Sequence, residues 1–512
     1  MKKLCLLLAL LLVLTGCGKE GGKPEQTTAP AYPNDSGHVD KNDDGLCDDC
    51  QEVMLVTFDV YAINDLHGKL TDGENHPGVD ELTTYLKQQR KASPNMILLS
   101  SGDMWQGAPE SNLTKGQIIT DWMNQMDFDC MTMGNHEYDW GQDPIRENKA
   151  LAQFPFLGIN IFDRATSQRV DYCDSSTVVE FEGLQVGIIG AIGDCYSSIA
   201  SEHSGDFYFK TGHELTELVK AESQKLRSEG VDYIIFSIHD GHDETTVGNS
   251  AETISSNKLS TYYDDMLSDG YVDLMFEAHT HQKYVLVDSH GVYHLQGGGD
   301  NTGISHASVM VNKANGNSTV ITTEQLNTGT YALLEDDPVV NELMDKYAEQ
   351  VAPAVRVVGN NAAYRNKYDI CQLVADLYCD KGVEKWGKEY DIVLGGGFIS
   401  CRAPGYLSAG EVKYGQLQSV LPFDNQITLC SILGRDLIDK FLETDHYAYY
   451  IKTTPYGESI RDSIDPYETY YVVTDSYSAY YARNNMTVIE IYGEKIFARD
   501  LLADYISEGG LD

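Results

Sequence analysis

Leu55-Val56-Thr57-Phe58-Asp59-Val60-Tyr61-Ala62-Ile63 runs directly into Asn64-Asp65-Leu66-His67-Gly68, and this stretch sets the reading of the chain. Leu55 to Ile63 alternates in the manner of a strand, and residue types that ligate metals follow at once. The same design recurs four times. Met96 to Leu99 leads through Ser100 into Ser101-Gly102-Asp103-Met104-Trp105-Gln106-Gly107, and Phe128 to Met133 leads into Gly134-Asn135-His136-Glu137-Tyr138-Asp139. Val231 to Ile238 leads into His239-Asp240-Gly241, and Val272 to Phe276 into Glu277-Ala278-His279-Thr280-His281. Helix-like stretches at Glu81 to Lys91 and Gln117 to Met126 separate the early strands, which predicts a layered α/β sheet. In such sheets, residues just beyond strand ends converge on one site.

The residue types state the chemistry. Asp and His one residue apart, as in Asp65-x-His67 and His279-x-His281, put both side chains on one side of an extended turn. Mixed nitrogen and oxygen ligands suit divalent ions that keep open positions for water and substrate. A Gly near most clusters permits tight turns and close backbone approach. Cys130 lies near Asn135 in sequence, but it falls inside the apolar run and reads as a buried strand thiol, not a nucleophile.

Taken in order, Asp-x-His, Gly-Asp, Gly-Asn-His-Glu, strand-then-His and His-x-His resemble the calcineurin-like metallophosphoesterases over about residues 54 to 310. Gly-Asn-His-Glu-x-x-Asp resembles, within them, the bacterial 5'-nucleotidase and 2',3'-cyclic phosphodiesterase branch. The resemblance implies two divalent metal ions, with Zn, Mn, Fe and Co equally suited to the ligands. It makes Asp65, His67 and His281 ligands of the first ion and Asn135, His239 and His279 ligands of the second, bridged by Asp103. His136 would sit beside the phosphoryl group as transition-state stabiliser or acid, oriented by Asp139. The implied reaction is metal-assisted hydrolysis by in-line attack of water, with no covalent enzyme intermediate. One departure is Ala278, where the family commonly has Gly.

Asp336-Asp337-Pro338, followed by Val339, Leu343, Met344 and Tyr347, predicts a capped amphipathic helix that serves as a connector. Beyond it, Ile370 to Tyr378 reads as helix, Tyr390 to Leu394 as strand, and Gly395-Gly396-Gly397 as a turn bringing backbone close to a partner. Gly395-Gly396-Gly397-Phe398-Ile399-Ser400-Cys401-Arg402, then Ala409-Gly410-Glu411-Val412 and Leu421-Pro422-Phe423-Asp424-Asn425, resemble the 5'-nucleotidase carboxy-terminal domain over about residues 355 to 481. That resemblance implies substrate binding, with Phe423 and Tyr477 as two aromatic faces around a base and Arg402 as an anion contact. Tyr481 is the alternative second aromatic. Gly395 replaces the family's usual Asn, Arg402 falls about two positions late, and Thr474 to Arg483 lacks the usual Gly-Gly-Asp-Gly turn.

Composition bounds the rest. The chain has 512 residues, enough for two to four domains, and its 42% hydrophobic and 22% charged content is that of globular proteins. A formal charge of -41 sets the chain against a nucleic-acid polymer as partner. Eleven Cys are too sparse for a disulfide scaffold, and isolated ones such as Cys130 and Cys430 read as buried thiols. Lys2 and Lys3 precede an apolar run from Leu4 to Leu14 that is too short to cross a membrane. Leu14-Thr15-Gly16-Cys17 resembles the bacterial lipobox, which implies a lipid anchor on Cys17 and an extracytoplasmic membrane lipoprotein. Residues 18–37 read as a flexible tether. From Asp40 the spacing of oxygen ligands is that of half a calcium loop, but Gln51 stands where a bidentate carboxylate is needed. Cys47-x-x-Cys50 suits a local disulfide, the preferred reading, or a zinc site with His38.

The expected organisation is therefore a signal peptide over 1–16, a tether over 17–53, a four-layer αββα metallophosphoesterase domain over 54–330, a linker helix over 331–354 and a smaller α/β domain over 355–512. The leading reading is a lipid-anchored extracellular phosphohydrolase acting on nucleotide 5'-esters, with 2',3'-cyclic nucleotides as further substrates. A metallohydrolase of nucleotide sugars or of other phosphate or sulfur esters is the main alternative. A non-hydrolytic surface nucleotide-binding lipoprotein is the other. Metal identity and oligomeric state stay open.

Overall fold

Phe58, Val60 and Ala62 turn one way from the strand Leu55–Ile63, and Tyr61 and Ile63 turn the other, and both sets are buried. A strand covered on both faces belongs at the centre of a layered domain. In the computed structural model, residues 38–73, 77–199, 203–242, 270–288, 290–398, 401–402, 405–442, 449–453, 463–481, 484–493 and 495–511 are described. The expected signal peptide, Cys17 and residues 18–37 of the tether lie outside these residues, as do Ile399, Ser400, Ala482 and Arg483.

In chain order the strands are Leu55–Ile63 (β1), Met96–Ser100 (β2), Cys130–Thr132 (β3), Phe156–Leu157 (β4), Ile161–Asp163 (β5), Ser176–Phe181 (β6) and Leu184–Ile192 (β7). Next come Phe207–Phe209 (β8), Tyr233–His239 (β9), Leu274–Phe276 (β10), Lys283–Val287 (β11), Tyr293–Gly297 (β12), Gly303–Asn312 (β13) and Ser318–Asn327 (β14). One sheet has the order β14-β13-β1-β2-β3-β4 and the other β11-β12-β10-β9-β7-β6, while β5 and β8 pair separately. β1 to β4 run parallel, as do β7, β9, β10 and β12, with antiparallel strands at the edges.

The two sheets face one another across a core built from Phe58, Val60, Ile97, Leu99, Val186, Ile188, Tyr233 and Leu274. Helices Asp80–Ala92 and Gln117–Gln125 cover the outer face of the first sheet through Leu82, Leu86, Ile118 and Trp122. Helix His213–Ser228 covers the second through Leu215, Val219 and Leu226. This is the expected αββα layering, and it places the carboxyl ends of β1, β2, β3, β9 and β10 beside one another.

The predicted connector helix is Val339–Lys346, and the Asp337 carboxylate accepts the backbone N–H of Val339 at 3.0 Å. It packs Val339, Val340 and Leu343 into the core of the first sheet's outer layer. The remaining strands are Val357–Asn361 (β15), Arg365–Asn366 (β16), Ile392–Phe398 (β17), Tyr406–Leu407 (β18), Gly410–Lys413 (β19), Ile427–Leu433 (β20), Tyr449–Thr453 (β21), Thr469–Asp475 (β22) and Thr487–Ile491 (β23). They form a mixed sheet of order β21-β17-β22-β20-β23, plus the small pairs β15-β19 and β16-β18. Helix Lys367–Trp386 lies against the mixed sheet, extending the predicted Ile370 to Tyr378 at both ends.

Two expectations need correction. Gly395-Gly396-Gly397 is not a turn: the triplet lies inside β17 and pairs with β21 and β22. The glycines serve close approach. A Cβ on Gly395 would lie 2.6 Å from the Cys379 Cβ of the covering helix, and one on Gly397 would lie 2.3 Å from Asp475 Oδ2. The preferred Cys47–Cys50 disulfide is also not formed, since both residues are free thiols. Cys130 and Cys430 are buried thiols as expected. Among the described residues, no helix is long and apolar enough to cross a membrane.

Candidate active site

The loops after β1 and β2 run side by side beyond the sheet. Asp65 and His67 donate their backbone N–H to the carbonyls of Gly102 and Asp103, at 2.9 and 3.0 Å. This pairing holds the loops while the chain turns sharply. Asp65, His67, Asp103, His279 and His281 all have φ between +49° and +67°, a region that costs non-glycine residues energy. Backbone strain is thus concentrated at five of the seven residues expected to bind metal.

Those seven side chains come together. Ligand atoms of Asp65, His67 and His281 lie within 4.8 Å of one another, and so do those of Asp65, Asp103 and His239. The His279 ring stacks edge-on to His239 with centroids 5.5 Å apart, and Asn135 is buried on the wall of the same site. The imidazoles are aimed by their outer nitrogens. His67 Nδ1 lies 2.8 Å from the carbonyl of Gln106, and His239 Nδ1 lies 2.7 Å from that of Ser101. Each ring donates outward from Nδ1 and turns Nε2 inward to the cluster, where that of His239 lies 3.1 Å from Asp103 Oδ2. Burial and neighbouring His281 push His67 down to about 3, and burial and His239 push His279 down to about 4, which keeps both neutral. Burial works against the Asp103 carboxylate, but His239 and His136 outweigh it and hold it well below the usual range.

Divalent cations fit this donor set. Asn135 Oδ1 is buried without a hydrogen bond, an arrangement that costs free energy unless something else binds it, while Asp65 Oδ1 and His239 Nε2 meet only other members of the cluster, His281 Nε2 at 3.4 Å and Asp103 Oδ2 at 3.1 Å. Anionic carboxylate, neutral imidazole and amide oxygen are the donors that zinc-like and manganese-like ions accept.

His136 stands at the edge of this cluster. Its backbone N–H donates to Asp103 Oδ1 at 2.8 Å, and its Nδ1 lies 2.8 Å from Asp139 Oδ2. Burial opposes a charge on the ring, but the Asp139 and Asp103 carboxylates win and raise its pKa. Arg402 reaches it from the carboxy-terminal sheet side, with Nη2 donating to His136 Nε2 at 2.8 Å. Phe423 stacks on the His136 ring at 5.9 Å between centroids, and the Arg402 guanidinium lies 5.3 Å over Phe423. A cavity of about 280 Å³ opens here, lined by Asn135, His136, Asp139 and His279 on one side and by Arg402, Phe423 and Tyr477 on the other. Tyr481, the alternative aromatic, stacks behind Tyr477 and does not line the cavity.

Several residues that hold the site had no assigned role in the sequence. Glu137, fully buried, accepts the backbone N–H groups of Asp103, Met104, Trp105 and Gly134 at 2.8 to 3.3 Å, tying the loop after β2 to the loop after β3. Gly134 is required there, because a Cβ would lie 2.2 Å from Asp103 Oδ1. Behind the His-x-His loop, Glu277 joins His294 at 2.6 Å and also contacts His242 and Tyr284, all of them buried. Cys195 is buried beside His239 and His279 and donates to the His239 carbonyl at 2.9 Å, so burial keeps it a thiol. Arg499, buried on helix Ala498–Ser507, donates to the carbonyls of Leu421, Pro422 and Phe423 and pairs with Asp424, which also meets Lys115 at 2.7 Å. Only Glu137 had a visible signal, its place in Gly-Asn-His-Glu.

The model of the family described as calcineurin-like phosphoesterase matches residues 58–283, the span that contributes all seven clustered side chains and His136. The chain carries a calcineurin-like phosphoesterase domain. It is a metal-dependent phosphoester hydrolase. Protein UshA of Yersinia enterocolitica is 24% identical over 520 residues, covering 89% of this chain and 90% of that protein. The crystal structure of a 5'-nucleotidase precursor from Thermus thermophilus aligns over 88% of this chain and 96% of its own, with a TM-score of 0.66 and 17% identity. The sulfate thiohydrolase SoxB of Thermus thermophilus aligns over 88% and 94%, with a TM-score of 0.60 and 15% identity. These likenesses extend the shared fold beyond the phosphoesterase domain into the carboxy-terminal part.

Proposed function

We propose that the chain is a 5'-nucleotidase that releases phosphate from nucleotides and also opens 2',3'-cyclic ones, working outside the cytoplasm from a lipid anchor on Cys17. One observation carries the nucleotide reading: the cavity lined on one side by His136 and the metal-type ligands Asn135 and His279 is lined on the other by Arg402, Phe423 and Tyr477. A phosphoryl group and an aromatic base are thereby offered partners in one space of about 280 Å³.

Asp65, His67 and His281 would hold one divalent ion, and Asn135, His239 and His279 a second, with Asp103 between them. Such ions supply Lewis-acid stabilisation of phosphoryl oxygens and an acidified water. The chain's own residues do the rest. Arg402 donates to His136 Nε2 while the ring is neutral; when the ring is protonated there, Arg402 turns to the substrate anion and Nε2–H is offered to a phosphoryl or leaving oxygen, with Asp139 fixing the ring through Nδ1. Arg402 Nη2, 2.8 Å from that Nε2, offers a second donor to the same anion. Phe423 and Tyr477 give the base two apolar faces and exclude water from it. Glu137 keeps two metal-side loops in register.

The test is phosphate release by the full-length chain in detergent, reconstituted with divalent metal, from 5'-AMP, 2',3'-cyclic AMP, UDP-glucose and an aryl phosphate. Selective turnover of 5'-AMP that vanishes in Asp103→Asn is expected. Turnover of the aryl phosphate alone would refute the aromatic clamp, and turnover of UDP-glucose alone would make the protein a nucleotide-sugar hydrolase. Metal bound without any turnover would make it a binding protein. Metabolic labelling with a palmitate analogue checks the anchor: label is expected on the native chain and absent from Cys17→Ala.

A further inference from the structure

Residues 38–53 have almost nothing apolar to bury: Cys47 is their one fully buried hydrophobic side chain. Yet the segment is ordered into turns and pinned to the phosphoesterase domain. Leu46 bridges Val53, Met54 donates to the carbonyl of Gly45 at 2.8 Å, and Asn312 donates to Asp40 Oδ2 at 2.8 Å. The carboxylates expected of a calcium loop are engaged elsewhere. Asp40 accepts the backbone N–H groups of Asp44 and Gly45, and Asp43 accepts side-chain amides of Asn312, Asn315 and Asn317. A segment this small needs a staple other than a core.

We infer that His38, Cys47 and Cys50 form a metal site for one soft divalent cation of the zinc class, separate from the phosphoesterase centre. His38 Nδ1 lies 3.4 Å from Cys47 Sγ and 3.3 Å from Cys50 Sγ, and all three donor atoms fall within 4.8 Å of one another. In a tetrahedron with Zn–S of about 2.3 Å and Zn–N of about 2.0 Å, a nitrogen and a sulfur ligand sit about 3.6 Å apart, close to what is seen. The other ring nitrogen of His38 lies 3.5 Å from Glu52 Oε2, the carboxylate partner that metal-bound imidazoles commonly have. Backbone N–H groups of Cys50, Val39 and Asp49 face the Cys47 sulfur. Binding releases to solvent whatever protons the two sulfurs still carry. Cys50 is exposed, so the fourth position faces water. Thiolate ligands select zinc-class ions over calcium and magnesium.

The experiment uses the full-length chain in detergent, stripped of metal and reconstituted with Co²⁺, and reads metal stoichiometry and the near-ultraviolet thiolate-to-cobalt charge-transfer band. None of the seven residues expected at the phosphoesterase centre is a cysteine, so the band reports this site. Cys195 is the control, because its sulfur lies near His239 and His279. The native chain and Cys195→Ser should both show the band. Cys47→Ser/Cys50→Ser should lose it together with one metal equivalent, and its phosphate release should stay within about twofold of native, which distinguishes loss of the site from misfolding of the phosphoesterase domain. His38→Ala should weaken cobalt affinity at least about tenfold. A band unchanged in the double cysteine variant overturns the proposal. So does a Cys47–Cys50 disulfide found by mass spectrometry in protein purified under inert atmosphere.

Discussion

The two walls of the cavity are built differently. The metal-side wall consists of loops that leave parallel strand ends and are cross-tied by backbone hydrogen bonds and by the buried Glu137 carboxylate, with its ligands in strained left-handed conformations. The substrate-side wall is one loop, 421–425, whose carbonyls are gathered by the single buried guanidinium of Arg499, together with Arg402 and the half-buried Tyr477. A wall with many ties keeps its geometry through sequence change in its neighbours. The second wall has fewer ties, Arg499 and the Asp424–Lys115 pair, and the proposed base contacts lie on it.

Substitution tests that contrast most sharply at its core. Asp103→Asn leaves the shape but removes the charge that neighbours Asp65, His239 and the backbone of His136. Hydrolysis of every substrate in a panel is expected to fall by at least about 10³-fold, with lower metal content by elemental analysis. Retained metal with full activity would mean that the cluster is not the reacting centre. Glu137→Gln comes next. A Gln side chain turns an NH₂ toward backbone N–H groups that now meet oxygen, so one loop must shift. Activity should drop about 10- to 100-fold for all substrates alike, with a lowered unfolding temperature. A loss confined to nucleotides would place Glu137 in the wrong wall.

The substrate-side wall predicts a split. Phe423→Ala should raise KM for 5'-AMP about fivefold, consistent with ~1 kcal/mol for a lost aromatic contact, and leave aryl phosphate kcat unchanged. Arg499→Met should give the same split without touching substrate, because it releases the three carbonyls that hold Phe423. If Arg499→Met instead behaves as native while Phe423→Ala does not, the loop is held by Lys115 and Asp424 and the contrast between walls narrows.

The same asymmetry governs how much could be read from the sequence. Each metal-type ligand lies within a few residues of a strand end, so a short local pattern carried both the strand and its chemistry, and β1 was predicted to the residue. Boundaries elsewhere drifted, as at Phe128 to Met133, where the strand is only Cys130–Thr132. Phe423 and Tyr477 could be located, but what holds Phe423 comes from Arg499, some 75 positions further on, and no periodicity links the two. The glycine triplet was misread because a turn and a strand pressed against a helix both call for Gly, and only the Cys379 and Asp475 contacts decide between them. Left-handed φ at Asp65, His67 and Asp103 could not be read from the sequence, since Asp and His tolerate that region without requiring it and the surrounding ties impose it.

The smallest effect probes the support behind the tied wall. Asp129 precedes β3, and its Oδ2 accepts the backbone N–H of Leu98 in β2 at 2.8 Å. Burial raises its carboxyl from 3.8 to about 6, against the lowering effects of the Leu98 N–H and Arg90. The folded state therefore holds this proton more tightly than the unfolded chain. The stabilisation linked to that proton is fully present below pH 3.8 and is lost as pH rises through about 6. Asp129→Asn keeps an acceptor for Leu98 and removes the titration. Relative to native, the variant should gain stability between pH 4 and 6.5, on the order of 1 kcal/mol by denaturant unfolding, with no change in substrate preference. A gain of that size with unchanged kinetics would show that charge is tolerated in the scaffold at a cost the ties absorb. A change in KM would mean that the scaffold and the substrate wall are coupled after all.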